Sequence, residues 1–221
     1  MSTASLVGLT MLVIGESHMS LSSYLINPLH DDLTKQGAKV FSVGACGASA
    51  GDWLIKKTVP CGAERAGNEK GVFIRGETTT TPIAELIAKD KPDVVVVIIG
   101  DTMASYGKAF PQAWAWENVT RLTKEIASTK TACIWVGPPW GSEVGRQSNK
   151  FAKPDNRVQF MSNFLAKNVA PCTYIDSTKF SQPKQWSTLD GQHFTTAGYD
   201  SWAAAITQSI VNLPSIKQAK K

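Results

Sequence analysis

Short apolar runs rich in β-branched residues recur along the chain, and longer segments that fit helices lie between them. The runs cover residues 11–14, 40–43, 94–99, 133–136 and 174–175, and each has a length that suits one strand. The intervening and following segments are 20–36, 82–89, 111–128, 156–168 and 196–213. This alternation predicts βαβ units with right-handed crossovers, and therefore a mostly parallel sheet covered by helices on both faces.

The run at residues 94–99 has no polar position, which is typical of a strand buried on both faces of a parallel sheet. Two stretches, 44–81 and 137–155, do not fit the alternation of strand and crossover helix and are predicted to be long loops. Both follow the carboxyl ends of predicted strands, where open α/β sheets place their binding sites. We therefore expect the functional residues to gather at that edge of the sheet.

Composition narrows the class of protein. With 221 residues and 43% apolar content, the chain supports one large core, so we expect one domain over residues 1–221. The net charge of +5 is too dispersed for a nucleic-acid interface, and the basic residues of the tail, about 214–221, are expected to be solvated. Because no apolar run approaches the roughly 18 residues of a membrane span, we expect a soluble protein without membrane insertion.

Candidate catalytic residues lie near the two ends of the chain. Ser17 directly follows the first predicted strand, and Asp190 and His193 precede the final predicted helix. A serine hydroxyl becomes a strong nucleophile when an imidazole takes its proton, and the imidazole needs a carboxylate to fix its tautomer and stabilise its charge. Singly, Ser17 fits a helix N-cap, His193 a core or surface histidine, and Asp190 a turn. Their combination at strand ends is what indicates catalysis.

With these blocks the sequence resembles the SGNH, or GDSL-like, hydrolase superfamily over most of its length. The family's Gly-Asp-Ser block is similar to Gly15-Glu16-Ser17, the glycine of its second block to Gly47, with Gly44 as second choice, and its Asp-x-x-His block to Asp190 and His193. The resemblance implies a flavodoxin-like three-layer α/β/α sandwich in which five parallel strands have the order 2-1-3-4-5.

The resemblance also implies a role for each of these residues. Ser17 is the expected nucleophile, His193 the general base and Asp190 the carboxylate that orients the imidazole. The backbone N–H groups of Ser17 and Gly47 are expected in the oxyanion hole. This chemistry requires neither a metal nor an organic cofactor.

The third family block departs from its pattern. The family has Gly-x-Asn after the third strand, whereas this chain has Gly100-Asp101-Thr102, which places Thr102 at the position of the oxyanion-binding asparagine. Loss of one oxyanion donor typically costs about 2.7–4 kcal/mol in the transition state, so Thr102 is expected to replace part of that interaction. Glu16 in place of the family's aspartate is the milder departure.

These expectations favour a serine esterase that removes a small acyl group, most simply acetyl, from a carbohydrate or polysaccharide. Its partner is then an acyl ester or acylated saccharide. Two alternatives stay open: an O-acyltransferase that uses the same residues with a sugar hydroxyl as acceptor, and a saccharide-binding module with weak or no catalysis, which the threonine at position 102 motivates. The sequence leaves the oligomeric state open.

Aromatic residues near the predicted strand ends suggest where a sugar could bind. Trp53, Trp140 and Trp186 lie in or beside the predicted loops, and indole rings stack on the apolar faces of sugars. We take them as candidate substrate-binding residues. The alternative is that these large side chains simply pack in the core.

The four cysteines give an indication of the cellular compartment in which the protein works. None lies in a Cys-x-x-Cys pair or near a histidine at metal-ligand spacing, so we expect no zinc site. Cys46 and Cys61 flank one predicted loop, and the family's strand order makes Cys133 and Cys172 neighbours, so these two pairs are plausible disulfides. Disulfides favour a periplasmic or secreted protein whose signal peptide is absent from this sequence; four free thiols in a cytoplasmic protein are the alternative.

Overall fold

The computed structural model describes residues 5–142 and 151–218. Its strands are β1 (Thr10–Gly15), β2 (Lys39–Ala45), β3 (Thr58–Val59), β4 (Gly62–Ala66), β5 (Val72–Ile74), β6 (Thr78–Thr79), β7 (Val94–Ile98), β8 (Ala132–Val136) and β9 (Thr173–Ile175). Its helices are α1 (Ile26–Lys35), α2 (Ile83–Asp90), α3 (Gln112–Ser128), α4 (Asp155–Asn168), α5 (Thr196–Asn212) and α6 (Pro214–Gln218). Short 3₁₀ helices cover Ser17–Met19, Ala50–Leu54, Asp101–Met103 and Ser177–Lys179.

The main sheet has the strand order β5-β4-β2-β1-β7-β8-β9. Its five parallel strands, β2, β1, β7, β8 and β9, are the five predicted apolar runs, and their 2-1-3-4-5 order is confirmed. Two further strands, β4 and β5, extend the sheet antiparallel at the edge of β2, so the sheet has seven strands in all. Both added strands come from the stretch 44–81, and β4 carries Glu64 and Arg65 rather than an apolar run, so it gave no strand signal in the sequence.

Alternate residues of the central strands enter two separate cores, one on each face of the sheet. Val96 and its neighbours at even positions of β7 pack with α1, α5 and α6, and Val95 and Val97 pack with α2, α3 and α4. A strand with both faces buried needs apolar side chains at every position, which explains the uninterrupted run in β7. The fold is therefore the expected three-layer α/β/α sandwich.

Two boundaries differ from the sequence prediction. The first helix begins at Ile26 rather than at residue 20, because a 3₁₀ turn follows β1 and the Leu25 N–H donates to the His18 carbonyl oxygen. The tail expected to be solvated instead begins as α6, whose Ile216 is buried in the core. Within the long loop predicted at 137–155, residues 143–150 lie outside the described part, as do residues 219–221 of the tail.

Both expected disulfides are confirmed. Cys46–Cys61 joins the segment after β2 to the residue before β4, and Cys133–Cys172 joins β8 to the residue before β9. Chain-entropy arguments give bridges over 15 and 39 residues stabilisations of about 3 and about 4 kcal/mol. They are consistent with an extracytoplasmic location. In the described ranges, no helix is both long enough and apolar enough to cross a bilayer.

Candidate active site

A cleft of about 570 Å³ opens at the carboxyl ends of β1, β2 and β7. Parallel strands end at one edge of the sheet, so the segments that follow them meet there although they are far apart in sequence. The cleft is lined by Ser17, Cys46, Gly47, Asp101, Thr102, Ser105, Tyr106, Gly107, Phe151, Ala152, Gln192 and His193.

Ser17, His193 and Asp190 form a continuous hydrogen-bonded chain at this cleft. Ser17 Oγ lies 2.8 Å from His193 Nε2, and His193 Nδ1 lies 2.7 Å from Asp190 Oδ2. Because an ionised carboxylate only accepts hydrogen bonds, Nδ1 carries the ring proton and Nε2 accepts from the serine hydroxyl. The structure thus brings Asp190 and His193 next to Ser17, although Ser17 and His193 are 176 residues apart in the sequence.

The Asp190 carboxylate is held in its charged form. Burial acts to raise its pKa, but hydrogen bonds from the His193 ring and backbone N–H and from the Gln192 N–H outweigh burial and lower the pKa to about 2. The His193 ring is itself confined. Tyr24 stacks on it with centroids 5.2 Å apart, and Phe151 meets it edge-on at 5.8 Å. The imidazole is therefore fixed in both orientation and tautomer before any ligand binds.

Two residues that line the cleft, Ser17 and Gly47, have backbone N–H groups without an acceptor among the described residues. Gly47 has a φ of +71°, a left-handed conformation that glycine adopts without strain. Gly44, the second choice, is paired within the β1–β2–β4 ladder, and a side chain there would collide with the Met19 backbone. The geometry thus favours Ser17 and Gly47 for binding an oxyanion.

Thr102 lines the cleft, but its hydroxyl is not free to serve as the third donor. Thr102 Oγ1 donates to the Ala48 carbonyl oxygen at 2.9 Å, and its backbone N–H donates to Glu16 Oε2 at 2.6 Å. A hydroxyl has one proton, so a donor already bonded to Ala48 does not bind an oxyanion at the same time. This corrects the expectation that the Thr102 hydroxyl replaces the family's asparagine as a donor. The hydroxyl instead joins the segment after β7 to the segment after β2.

The Glu16 carboxylate anchors the segment after β7 by hydrogen bonds to its backbone. Its Oε1 accepts from the N–H groups of Gly100 and Asp101 at 2.9 and 2.8 Å, and its Oε2 accepts from Thr102. Burial and the nearby Asp101 charge raise the pKa of Glu16 to about 7. The longer side chain of glutamate, compared with the aspartate of the family block, thus spans from β1 to three successive backbone amides.

A second buried network adjoins the catalytic residues, and sequence reasoning missed its centre, Asp101. The Asp101 carboxylate accepts from His18 Nε2 at 2.7 Å, from Lys153 Nζ at 2.8 Å and from the Tyr106 hydroxyl. Burial opposes its ionisation, but the Lys153 ammonium and the His18 hydrogen bond hold the pKa of Asp101 well below its usual value. The side chains of Asp101 and Lys153 are both fully buried.

The sequence offered a weak signal for Asp101 and none for Lys153. Asp101 comes shortly after a buried strand, at the edge of the sheet where functional residues gather. Lysine is almost never fully buried, so no pattern distinguishes Lys153 from the solvated lysines. His18 is fully buried, with its Nδ1 accepting from the Tyr199 hydroxyl at 2.8 Å.

His18 makes stability depend on pH. Burial lowers its pKa from 6.5 to about 4, although the bond to Asp101 acts in the opposite direction. Between these values the unfolded chain binds a proton that the folded chain does not, so stability is lost as pH falls. We expect the free energy of unfolding of the wild type to fall from pH 6.5 to 5 more steeply than that of His18→Gln, by a slope approaching 1.4 kcal/mol per pH unit. Urea titrations at pH 5, 6, 7 and 8 measure this, and parallel profiles below pH 7 would contradict it.

The structure does not bring the three candidate tryptophans into the cleft. Trp53 is 0% exposed and belongs to the core on the α2–α4 face, which rules out a sugar platform there and confirms the packing alternative. Trp140 is half-buried, and its indole N–H donates to the Thr178 carbonyl oxygen at 2.8 Å. Trp186 packs edge-on against Phe194. The rings that do line the cleft are those of Tyr106, Phe151 and His193.

No protein-family model matches the chain. It is 42% identical over 221 residues to Protein BcsX from Komagataeibacter xylinus, in an alignment that covers 98% of this chain and 81% of BcsX.

Two solved structures show the same fold at low sequence identity. The lipase/acylhydrolase from Enterococcus faecalis superposes with a TM-score of 0.60 at 20% identity, covering 92% of this chain and 95% of that one. The acetyl xylan esterase AlAXEase superposes with a TM-score of 0.57 at 14% identity, covering 91% and 100%. A GDSL-like lipase is also among the structural neighbours.

Proposed function

The chain belongs to the family of Protein BcsX and has the fold of the SGNH/GDSL-like hydrolases, and we propose that it is a serine esterase that removes a small acyl group, most simply acetyl, from a carbohydrate. Ser17 is the nucleophile, His193 the general base and Asp190 the carboxylate that orients it. The observation that carries the proposal is the hydrogen-bonded chain from Ser17 Oγ through His193 to Asp190, with distances of 2.8 and 2.7 Å.

Acylation begins when Ser17 Oγ attacks the ester carbonyl carbon and His193 Nε2 takes the hydroxyl proton. The carbonyl oxygen becomes an oxyanion, which accepts from the N–H groups of Ser17 and Gly47. Asp190 stabilises the imidazolium that has formed. Collapse of the tetrahedral intermediate breaks the bond to the alcohol oxygen, and His193 returns the proton to the departing alcohol. The product is an acyl ester on Ser17.

Deacylation repeats these steps with water. His193 Nε2 takes a proton from a water molecule as its oxygen attacks the acyl carbon, and the same backbone amides bind the second oxyanion. The bond to Ser17 Oγ then breaks, His193 returns the proton to the serine, and a carboxylic acid leaves.

Three observations support a small acyl group on a carbohydrate. The cleft, at about 570 Å³, has a size that is ordinary for a small-molecule site. Its lining combines two aromatic side chains, Tyr106 and Phe151, with several polar ones. One protein of the same fold is an acetyl xylan esterase. With two disulfides in the chain, we place this activity in the periplasm or outside the cell.

A fluorophosphonate probe tests the nucleophile directly, because it phosphonylates an activated serine and no ordinary one. We expect the intact wild-type protein to gain the mass of one probe, peptide mapping to locate it on Ser17, and Ser17→Ala to remain unlabelled. Labelling of another serine, or none in wild-type protein that hydrolyses esters, would overturn the assignment. Absence of both labelling and ester hydrolysis would favour the binding-module alternative.

A further inference from the structure

The polar side chains that line the cleft almost all have hydrogen-bond partners within the protein. Ser17 bonds His193, Tyr106 donates to Asp101, and Thr102 donates to Ala48. Of the polar lining side chains, only those of Ser105 and Gln192 make no hydrogen bond to a described residue. Gln192 is the more enclosed, with 9% of its surface exposed, whereas Ser105 is half-buried.

The Gln192 side chain is held next to the reacting groups by the backbone on both sides. The Gln192 N–H donates to Asp190 Oδ1 at 3.1 Å, and the N–H of the following residue, His193, donates to the same oxygen at 2.8 Å. These bonds fix the segment between the carboxylate and the imidazole. They involve the backbone alone, so they leave the Gln192 carboxamide free to contact a ligand in the cleft.

The Gln192 carboxamide reaches solvent in the cleft and has no hydrogen-bond partner among the described residues, so it favours a ligand that offers both a donor and an acceptor. In a small ester the carbonyl oxygen is taken by the oxyanion site, and a short alkyl acyl group has no other polar atom. The remaining polar groups lie on the alcohol. A carboxamide is neutral and both donates and accepts, so it matches a hydroxyl better than it matches an ammonium or a carboxylate.

We propose that Gln192 is the specificity residue of a subsite for the alcohol portion of the substrate, which binds a hydroxyl next to the ester and selects acylated polyols over esters of apolar alcohols. The inference rests on the proposed esterase function and names the class of its substrate.

The test compares two acetate esters that share a six-membered ring: a monoacetylated methyl xylopyranoside, with free hydroxyls, and cyclohexyl acetate, without them. For Gln192→Met, which keeps length and removes both polar atoms, we expect kcat/KM for the sugar ester to fall about 5- to 10-fold while that for cyclohexyl acetate changes less than 2-fold. Gln208→Met makes the same change at an exposed position of α5 and is the matched control, expected to alter neither.

The ratio of the two kcat/KM values separates this inference from the proposed function. An equal fall on both esters would assign Gln192 to the support of His193 and overturn the subsite, and so would no change on either. Wild-type preference for cyclohexyl acetate would also overturn it while leaving the esterase intact. If wild type hydrolysed neither ester nor reacted with a fluorophosphonate, the proposed function would fail first, and the subsite with it.

Discussion

Replacing Ser17 by Ala is expected to reduce kcat for an acetyl ester by at least about 10⁴-fold, which would leave only the contribution of the oxyanion site and of binding. The residue supplies the atom that forms the covalent intermediate, and no neighbouring group in the described cleft is placed to substitute for it. His193→Ala is expected to cost a similar factor, because the serine then keeps its proton. The measurement is hydrolysis of p-nitrophenyl acetate under saturating conditions.

The double variant sharpens this test. Residues that act as one unit are strongly non-additive, so Ser17→Ala/His193→Ala should be no slower than either single variant. Ser201→Ala removes an exposed hydroxyl from α5 and is the matched control, with expected wild-type kinetics. If Ser17→Ala retained most of the activity, the hydrogen-bonded chain would have to be structural, and the nucleophile would lie elsewhere.

Lys153→Met is expected to lower the free energy of unfolding by about 3–5 kcal/mol, the largest effect on stability that we predict for a single side chain. The substitution leaves Asp101 charged and buried, with only His18 and Tyr106 as donors. The Asp101 side chain is 0% exposed, so water does not take the place of the lost Lys153 ammonium. Chemical denaturation monitored by tryptophan fluorescence measures the change.

Two further variants distinguish an unpaired charge from simple loss of packing. Asp101→Asn/Lys153→Met removes both charges and is expected to regain most of the lost stability, since an uncharged pair has no ion to solvate. Lys35→Met breaks the Lys35–Asp32 pair, whose lysine is 73% exposed, and should change stability by less than about 1 kcal/mol. A double variant as unstable as Lys153→Met would show that the lysine stem, rather than its charge, is what the fold requires. If Lys153→Met fails to fold, the stability of the double variant alone distinguishes an unpaired buried charge from the loss of packing by the lysine stem.

The sequence was most informative where one physical requirement acts on every residue of a segment. A parallel strand covered on both faces must be apolar throughout, so β7 was readable from its composition, as were the four strands that accompany it. Residues just beyond such strands face one edge of the sheet, so the place to look for Ser17 could be stated before any coordinates, whereas Asp190 and His193 were indicated by the resemblance to the family's Asp-x-x-His block. The antiparallel strands β4 and β5 were missed because they lie at the margin of the sheet and carry charged residues.

By itself, then, the alternation of apolar and helical segments determined a mostly parallel sheet covered on both faces, and the resemblance to the SGNH hydrolases implied the order of its parallel strands, a plausible pairing of its cysteines and the residues to be tested as catalytic. Only the tertiary structure decided which partner each polar side chain forms its hydrogen bonds with. Thr102 stands at the expected position, but its hydroxyl donates to the Ala48 carbonyl oxygen. Trp53 lies in a stretch predicted to be a loop, but its side chain is fully buried. Lys153 looks like any surface lysine, yet it neutralises Asp101 in the interior. The physical reason is that hydrophobic periodicity is a local property, repeated over many residues, whereas a hydrogen bond or ion pair depends on a single neighbour that long-range folding supplies.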